Sequence, residues 1–531
     1  MPVPGRGRAE AERFVVEQLE RLVERRGGHS LSSPTVRGGQ TAADAALARF
    51  DVAGYAAGHR FAYPQPRRVG SRLSPYLRHG LLTLPQVWDH VAGGDPADVA
   101  AFRRALLRAE YARHAYAAGA APRPYPPGPG ADGGRSPRRS GEPPGLDPGP
   151  GRRLGWNRRM GCIEIALGEL VEDGWLVDEA RRWLAIDWSV HRRQRWTDGW
   201  DYLFRHSIDG SRAVGGQIER WLRGDAPDTV APAPGARLAG QAVPVFSRLD
   251  VERWAPGLCA TCELVQRCPV EDTADRVGRE LGLHPDPLRP DPLHPDGTAG
   301  RAASPNDPAF HDPAYHDPAG VTDRAVALDA VTGRDADRFG PTPGGVGTTA
   351  ETSGRRWADD ARAPDMGAHD MAAERTMAAR TAAGVDWVGG PDRPLRYRRP
   401  DTVWLTAESL CSADPAAAAH PDLPAVFVFD RPLLTALRLS PKRLVFWVET
   451  LAELATTREV ELWNGDPVAV LAGRNPATTY APVPGWRRRS VRIDPAEVHP
   501  WPWLVDPRRG DPTAPFDRWV TSVAAEPSKS T

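Results

Sequence analysis

Three of the five cysteines crowd into the stretch "CATCELVQRC": Cys259, Cys262 and Cys268, separated by two residues and then by five. Thiols at such spacing are placed to ligate a metal, because thiolate is a strong, soft donor to zinc and to iron–sulfur clusters. The start, "MPVPGRGRAEAERF", has no apolar segment of secretory type. A cytoplasmic chain is therefore expected, with its cysteines reduced or metal-bound rather than paired as disulfides. A second stretch with chemical content is "GSRLSPYLRHG", residues 70–80, where Ser71 and Ser74 precede a proline that opens a helix. Hydroxyls there either cap the helix or, together with its free N–H groups and dipole, receive an anion such as phosphate.

The elements that must position these residues fall into two grammars. Residues 10–26 place Phe14, Val15, Leu19 and Leu22 at helical spacing. Helical text continues through "TAADAALARF", "SPYLRHGLLTLPQVWDHVA" and "DVAAFRRALLRAEYARHAYA", and resumes from Trp156 to about Trp221. Between them a Pro/Gly-rich insertion, 121–152, has no pattern that packs. Residues 273–385 carry Pro, Asp and His repeats such as "HPDPLRPDPLHPDG" and read as a disordered linker. From 386 to 510, strand-length runs ("DTVWLTA", "AVFVFD", "REVELWNGD") alternate with helical ones ("SPKRLVFWVETLAELA"). That alternation argues a small α/β domain with a parallel, Rossmann-like sheet. The expected fold is thus a mainly α-helical domain over 1–272, a long linker, the α/β domain, and a tail over 511–531.

Charge sets the outer bounds. Sixty-eight basic residues balance 68 acidic ones, so no global field draws the chain to nucleic acid or membrane. No apolar run approaches the ~20 residues of a membrane span. The cations are nearly all arginine, with lysine only at 442 and 529, and arginine suits phosphate recognition.

Four blocks stand in order over about residues 36–224: "GGQTAADAALARF" with "YAAGHR", "SRLSPYLRHGLLT", "EDGWLVDEARRWLA" and "WTDGWDYLFRHSIDGSRAVGGQIERW". Through them the helical half resembles the flavin-binding domain of the DNA photolyase and cryptochrome family. The resemblance implies bound FAD, with contacts from Tyr55, Ser71, Leu73, Ser74, Arg181 and Asp209. It places Gly215 where the family usually has an asparagine near the flavin, and Trp221 on the electron-relay path; Asp209 and Trp221 are the residues it implicates in the chemistry. "RRMGCIEIALGEL" around Cys162 resembles the iron–sulfur bacterial branch, whose ligand set falls on Cys162, Cys259, Cys262 and Cys268. Four thiolates suit a [4Fe–4S] cluster; the same four also suit structural zinc, or Cys162 is simply a core residue. "VWLTAESLCSADPAAAAHPDLPAVFVFDRPLL" and the segments after it resemble the family's antenna domain, here placed second rather than first. "TAESLCSAD" stands where the antenna domain is usually arginine-rich, which speaks against an antenna chromophore.

The resemblance implies light-driven electron transfer from reduced FAD to pyrimidine lesions in DNA, by a monomer that grips damaged duplex through an arginine-lined face. Candidates for that face are the arginines of "RRQR" (192–195) and of 152–153. Several family positions differ: Ser211 replaces a second acid, Glu219 a relay tryptophan, Val177-Asp178 a His-Asn pair, and Ala109 a substrate-facing glutamate. The alternatives are a cryptochrome-like photoreceptor or redox flavoprotein without lyase activity, and an iron–sulfur or zinc helical protein that has lost its flavin. Trp175, Trp183, Trp188, Trp196 and Trp200 read as relay or, more simply, as helical core.

Overall fold

Acidic or hydroxyl side chains just before proline set many of the helix starts. Asp95 accepts from the N–H groups of Ala97 and Asp98, Asp414 from those of Ala416 and Ala417, Ser440 from that of Lys442 and Asp466 from that of Val468; each is followed by proline. The computed structural model describes residues 1–23, 30–118, 155–192, 194, 196–222, 237–238, 241–242, 246–270 and 389–524, all within one unit made of 1–283 and 359–531. The expected insertion at 121–152 and linker at 273–385 lie outside the described residues.

Eleven helices come first among the described residues: α1 (Arg8–Leu19), α2 (Gln40–Arg49), α3 (Tyr55–Gly58), α4 (Ser74–Arg78), α5 (Leu84–His90), α6 (Pro96–Ala117), α7 (Gly161–Asp173), α8 (Asp178–Ile186), α9 (Trp196–His206), α10 (Arg212–Leu222) and α11 (Arg248–Trp254). A two-residue hairpin, β1 (Arg237–Leu238) and β2 (Gln241–Ala242), precedes α11. The α/β portion runs β3 (Leu395–Arg396), β4 (Thr402–Leu405), α12 (Pro415–Ala419), β5 (Ala425–Asp430), α13 (Arg431–Leu437), α14 (Pro441–Leu454), β6 (Val460–Gly465), α15 (Pro467–Val470), β7 (Pro476–Thr479), α16 (Pro484–Ile493) and β8 (Glu497–His499). No described helix is long and apolar enough to cross a membrane.

The six-stranded sheet has the order β3-β8-β7-β4-β5-β6. Its neighbours pair in parallel except β3, which lies antiparallel against β8, so the sheet is mixed and not purely parallel as expected. β3 is only two residues long, too short to leave a pattern in the sequence. β4 is buried at every position and β5 at five of six, as strands covered on both faces must be. The strand order reverses between β4 and β7, and in open α/β sheets the crevice outside the carboxyl ends at such a point is where ligands bind.

Helix α14 joins the two portions. Nearly all of its residues are buried, Lys442 and Arg443 included, and it packs on α1; one continuous core runs from Ala11 to Ala477. Arg443 donates from Nε to the Ser207 carbonyl at 2.8 Å and from Nη2 to the carbonyls of Phe204 and Ser207. Those carbonyls end α9, where backbone acceptors lack partners within the helix. Burial pushes Arg443 down to about 9, which still leaves it charged at neutral pH. Glu449 takes the Gly38 N–H at 2.7 Å and Arg37 Nε at 2.8 Å. His79 is buried with its ring nitrogens 2.6 Å from the Ala407 carbonyl and 3.0 Å from that of Ile208. Burial, reinforced by Arg78, pushes His79 down to about 3 against the pull of the two carbonyls.

Residues 511–531, expected as a tail, contain a seventeenth described helix, α17 (Phe516–Ala524). Trp519 and Phe516 pack on Tyr111 of α6, and Tyr111 Oη donates to the Ala514 carbonyl at 2.5 Å. Glu110 anchors the approach, its Oε1 accepting from the N–H groups of Leu504 at 2.6 Å and Val505 at 3.1 Å.

Two outcomes follow from these buried charges. Arg443→Met strands the carbonyls at the end of α9 and should cost about 2–4 kcal/mol in urea unfolding. Burial raises Glu110 from 4.5 to about 7, so the folded chain holds that proton more tightly than the unfolded one. Its contribution is then lost as pH rises from about 4.5 to 7, the unfolded state binding fewer protons across that window. Unfolding midpoints measured across this range should decline in the parent chain and lose that part of the slope in Glu110→Gln.

Candidate functional site

A cavity of about 890 Å³ opens between α3, α4, α6, α8 and α10 on one side and the carboxyl ends of β4 and β5 on the other. That volume lies within the range of sites for large cofactors. Nine arginines line it against five acidic side chains, a balance that favours an anionic ligand. Arg488 and Arg492, both on α16, make no hydrogen bond or ion pair among the described residues, so their charge is uncommitted.

The turn into α4 is built around a strained residue. Arg72 sits at φ +52°, in the left-handed region that side chains other than glycine rarely adopt, and its guanidinium carbon lies 5.0 Å over the Trp175 indole. Leu73 is fully buried in the core, and its N–H reaches the Ser71 Oγ at 3.3 Å. No side chain caps α4. Ser74 turns inward instead: its Oγ donates to Asp209 Oδ2 at 2.6 Å and accepts from Trp175 Nε1 at 2.9 Å. The hydroxyl that reads in sequence as a cap therefore holds a carboxylate 135 residues away.

Asp209 is the centre of this network. Arg181 Nη2 lies 2.9 and 2.7 Å from its two oxygens, and the side chains are 8% and 6% exposed. Arg181 Nε donates to the Leu176 carbonyl at 3.2 Å, which fixes the guanidinium from behind. Tyr55 is buried, stacked on His59 at 5.0 Å and edge-on to Phe102 at 4.9 Å; burial pushes its phenol up, so it stays protonated.

The structure thus brings Tyr55, Ser71, Ser74, Arg181 and Asp209 to the wall of one cavity. Leu73, Gly215 and Trp221 are not among the residues that line it. Gly215 faces Trp200, and a Cβ there would come within 2.2 Å of the indole, so glycine is required by packing. Trp221 is half-buried beneath the Arg182 guanidinium, whose carbon is 5.5 Å from its ring. Trp175, Trp183, Trp188, Trp196 and Trp200 are all buried in the core. Sequence reading missed Arg72 and Arg78, because neither the backbone strain of one nor the 3.0 Å pairing of the other with Glu408 leaves a local signal. Of the arginines expected to face DNA, only Arg192 is described; it lies 3.8 Å from Asp187, and 152, 153, 193 and 195 lie outside the described residues.

The cysteines gather at the start of α7. The Gly161 N–H donates to Cys262 Sγ at 3.3 Å, and Cys162 and Cys259 are buried beside it. Burial pushes Cys259 up to about 12 and Cys162 higher, with Asp187 and then the other three cysteines raising Cys162 further. Cys411 lies apart, buried in the α/β portion.

No protein-family model and no curated protein matches the chain. Among solved structures it is similar to a bacterial class III photolyase from Agrobacterium tumefaciens, with a TM-score of 0.29 and 18% identity. The match covers 45% of this chain and 50% of that one, so the chain spans half the length of the solved structure it matches.

Removing one partner of a buried ion pair leaves the other charge uncompensated. Asp209→Asn should therefore cost about 3 kcal/mol in urea unfolding, and Ser74→Ala about 1 kcal/mol. Because both act on the same carboxylate oxygen, the double variant should lose less than the sum, which a double-mutant cycle reads directly.

Proposed function

We propose that the chain is a photolyase-family flavoprotein that holds FAD in the arginine-lined cavity and passes light-driven electrons to pyrimidine photolesions in DNA. One observation carries this reading. Tyr55, Ser71, Ser74, Arg181 and Asp209, which the sequence resemblance nominates from four separate blocks, all line one cavity of cofactor size.

The chain's residues suit such a ligand. Arg72 offers a cation beside Ser71 for a diphosphate, Arg488 and Arg492 offer two more from α16, and Trp175, Tyr55 and Leu176 supply apolar wall. The Arg181–Asp209 pair gives a fixed, water-poor dipole that needs no rearrangement when charge develops beside it. Bound FAD would supply the one-electron photochemistry, while the protein sets position and electrostatics. The flipped-out base would enter from the same cavity, a damaged base costing least to extrude. Thr406, Ala407 and Glu408, at the end of β4, line the cavity too. Their presence supports reading the α/β portion as part of the flavin site rather than as a separate antenna module. The β7–β4–β5 arrangement also has the reversal used by Rossmann-type nucleotide sheets. Four cysteines suit an iron–sulfur cluster, with structural zinc as the alternative.

A second reading is a cryptochrome-like photoreceptor or redox flavoprotein without lyase activity. Ala109 favours it, because this cavity-lining position offers no carboxylate to a lesion. The test is an absorption spectrum of anaerobically purified protein, with released flavin identified and iron assayed, followed by light-dependent repair of irradiated DNA. About one FAD per chain with repair is the expected result. Flavin without repair selects the second reading, and a colourless protein overturns both.

A further inference from the structure

On the sheet, away from the cavity, β8 sets Glu497 and His499 two residues apart on one face, and the end of α12 brings His420 over them. His420 Nε2 lies 2.9 Å from Glu497 Oε2, and His499 Nε2 lies 3.0 Å from Oε1. The three ligand atoms all fall within 4.8 Å of one another. Glu497 is 1% and His499 3% exposed, so the carboxylate sits between two imidazoles away from water, with a ring nitrogen about 3 Å from each of its oxygens. Two imidazole nitrogens and a carboxylate converging this closely are the donor arrangement that a shared cation takes.

We propose that His420, Glu497 and His499 bind a divalent transition-metal ion through two imidazole nitrogens and one carboxylate oxygen. Two imidazoles and a carboxylate are a donor set for zinc and its neighbours, and three protein ligands leave a coordination position open to water. The support around the set matches what such sites need. Arg396 Nε holds Glu497 Oε1 at 3.0 Å and orients the carboxylate, leaving Oε2 to the ion. Arg458 Nη2 holds the His420 carbonyl at 2.9 Å, which fixes the backbone behind the imidazole. His420 is partly exposed and marks the entry path. The ion ties the second strand of the sheet to α12 and is independent of any flavin.

The test uses the full chain with Co2+ as probe, because cobalt bound only by nitrogen and oxygen lacks the intense thiolate charge-transfer bands that binding at the cysteines would bring. One thiolate-free cobalt ion per chain is expected. His420→Ala, at a partly exposed position, should weaken it by about 100-fold or more, and Arg396→Ala by about tenfold. Added Zn2+ should raise the melting temperature more in the parent chain than in His420→Ala, where only the cysteines remain to bind it, since an ion that binds only the folded state stabilises it. His499→Gln should likewise abolish the cobalt signal. Equal nitrogen–oxygen cobalt binding in parent and His420→Ala, or none in the parent, would overturn the site and leave a hydrogen-bonded ion cluster.

Discussion

A single buried guanidinium sets the relation between the helical and α/β portions. Arg443 stands on α14, which belongs to the α/β text, and spends its donors on the carbonyls that end α9 in the helical text. A cation without a buried carboxylate partner is costly, and the C-terminal end of a helix is among the few neutral groups that offset the cost. The contact leaves no room for error. A Cβ on Gly210 would lie 1.9 Å from Arg443 Nη2, so the glycine of "SIDG" serves the joint between the portions as well as its own turn. Two residues after Ser207 comes Asp209, so the interaction that docks α14 also fixes the carboxylate at the head of the site.

The electrostatics of the cavity follow from that placement. Arg181 and Ser74 take up Asp209, so that acid is spent on one of the nine lining arginines and neutralises none of the others. Arg489 is bound to Asp430 at 2.5 Å and Arg78 to Glu408, yet Arg488 and Arg492 remain uncommitted on the facing wall. A chain of zero net charge thus gathers nine arginines and only five acids at one cavity, and pairing within the lining leaves the excess standing. Composition is silent on such sorting, because it depends on which side chains meet and not on how many there are.

What was legible in the sequence was whatever repeats locally. "AVFVFD" and "SPKRLVFWVETLAEL" announce β5 and α14 by period and length, and Pro after Asp or Ser marks the helix starts. What was not legible depends on partners far away in sequence. Ser71 and Ser74 look alike before a helix, yet only Ser74 reaches across to Asp209. Nothing local marks Lys442 and Arg443 as buried, because what receives them is a distant helix end and the Ser30 carbonyl. Gly215 looks like a ligand contact until Trp200 is seen filling its face. The helix Phe516–Ala524 was lost among proline and glycine, since nine residues of periodicity weigh little without the α6 groove that receives them.

The same logic separates the cysteines from the cavity. α7 begins beside Cys162 and ends at Asp173, and Trp175 and Arg181 follow directly. Thirteen helical residues span about 20 Å, too far for a thiol to touch anything bound at Asp209. The thiols act at one end of a rigid rod whose other end leads into the site. Arg68 pairs with Glu169 midway along that rod, buried and bidentate, and locks it against the turn that carries Ser71 and Arg72. Residues 259–268 meet the start of α7, so the thiols and the cavity wall stand at opposite ends of the same helix.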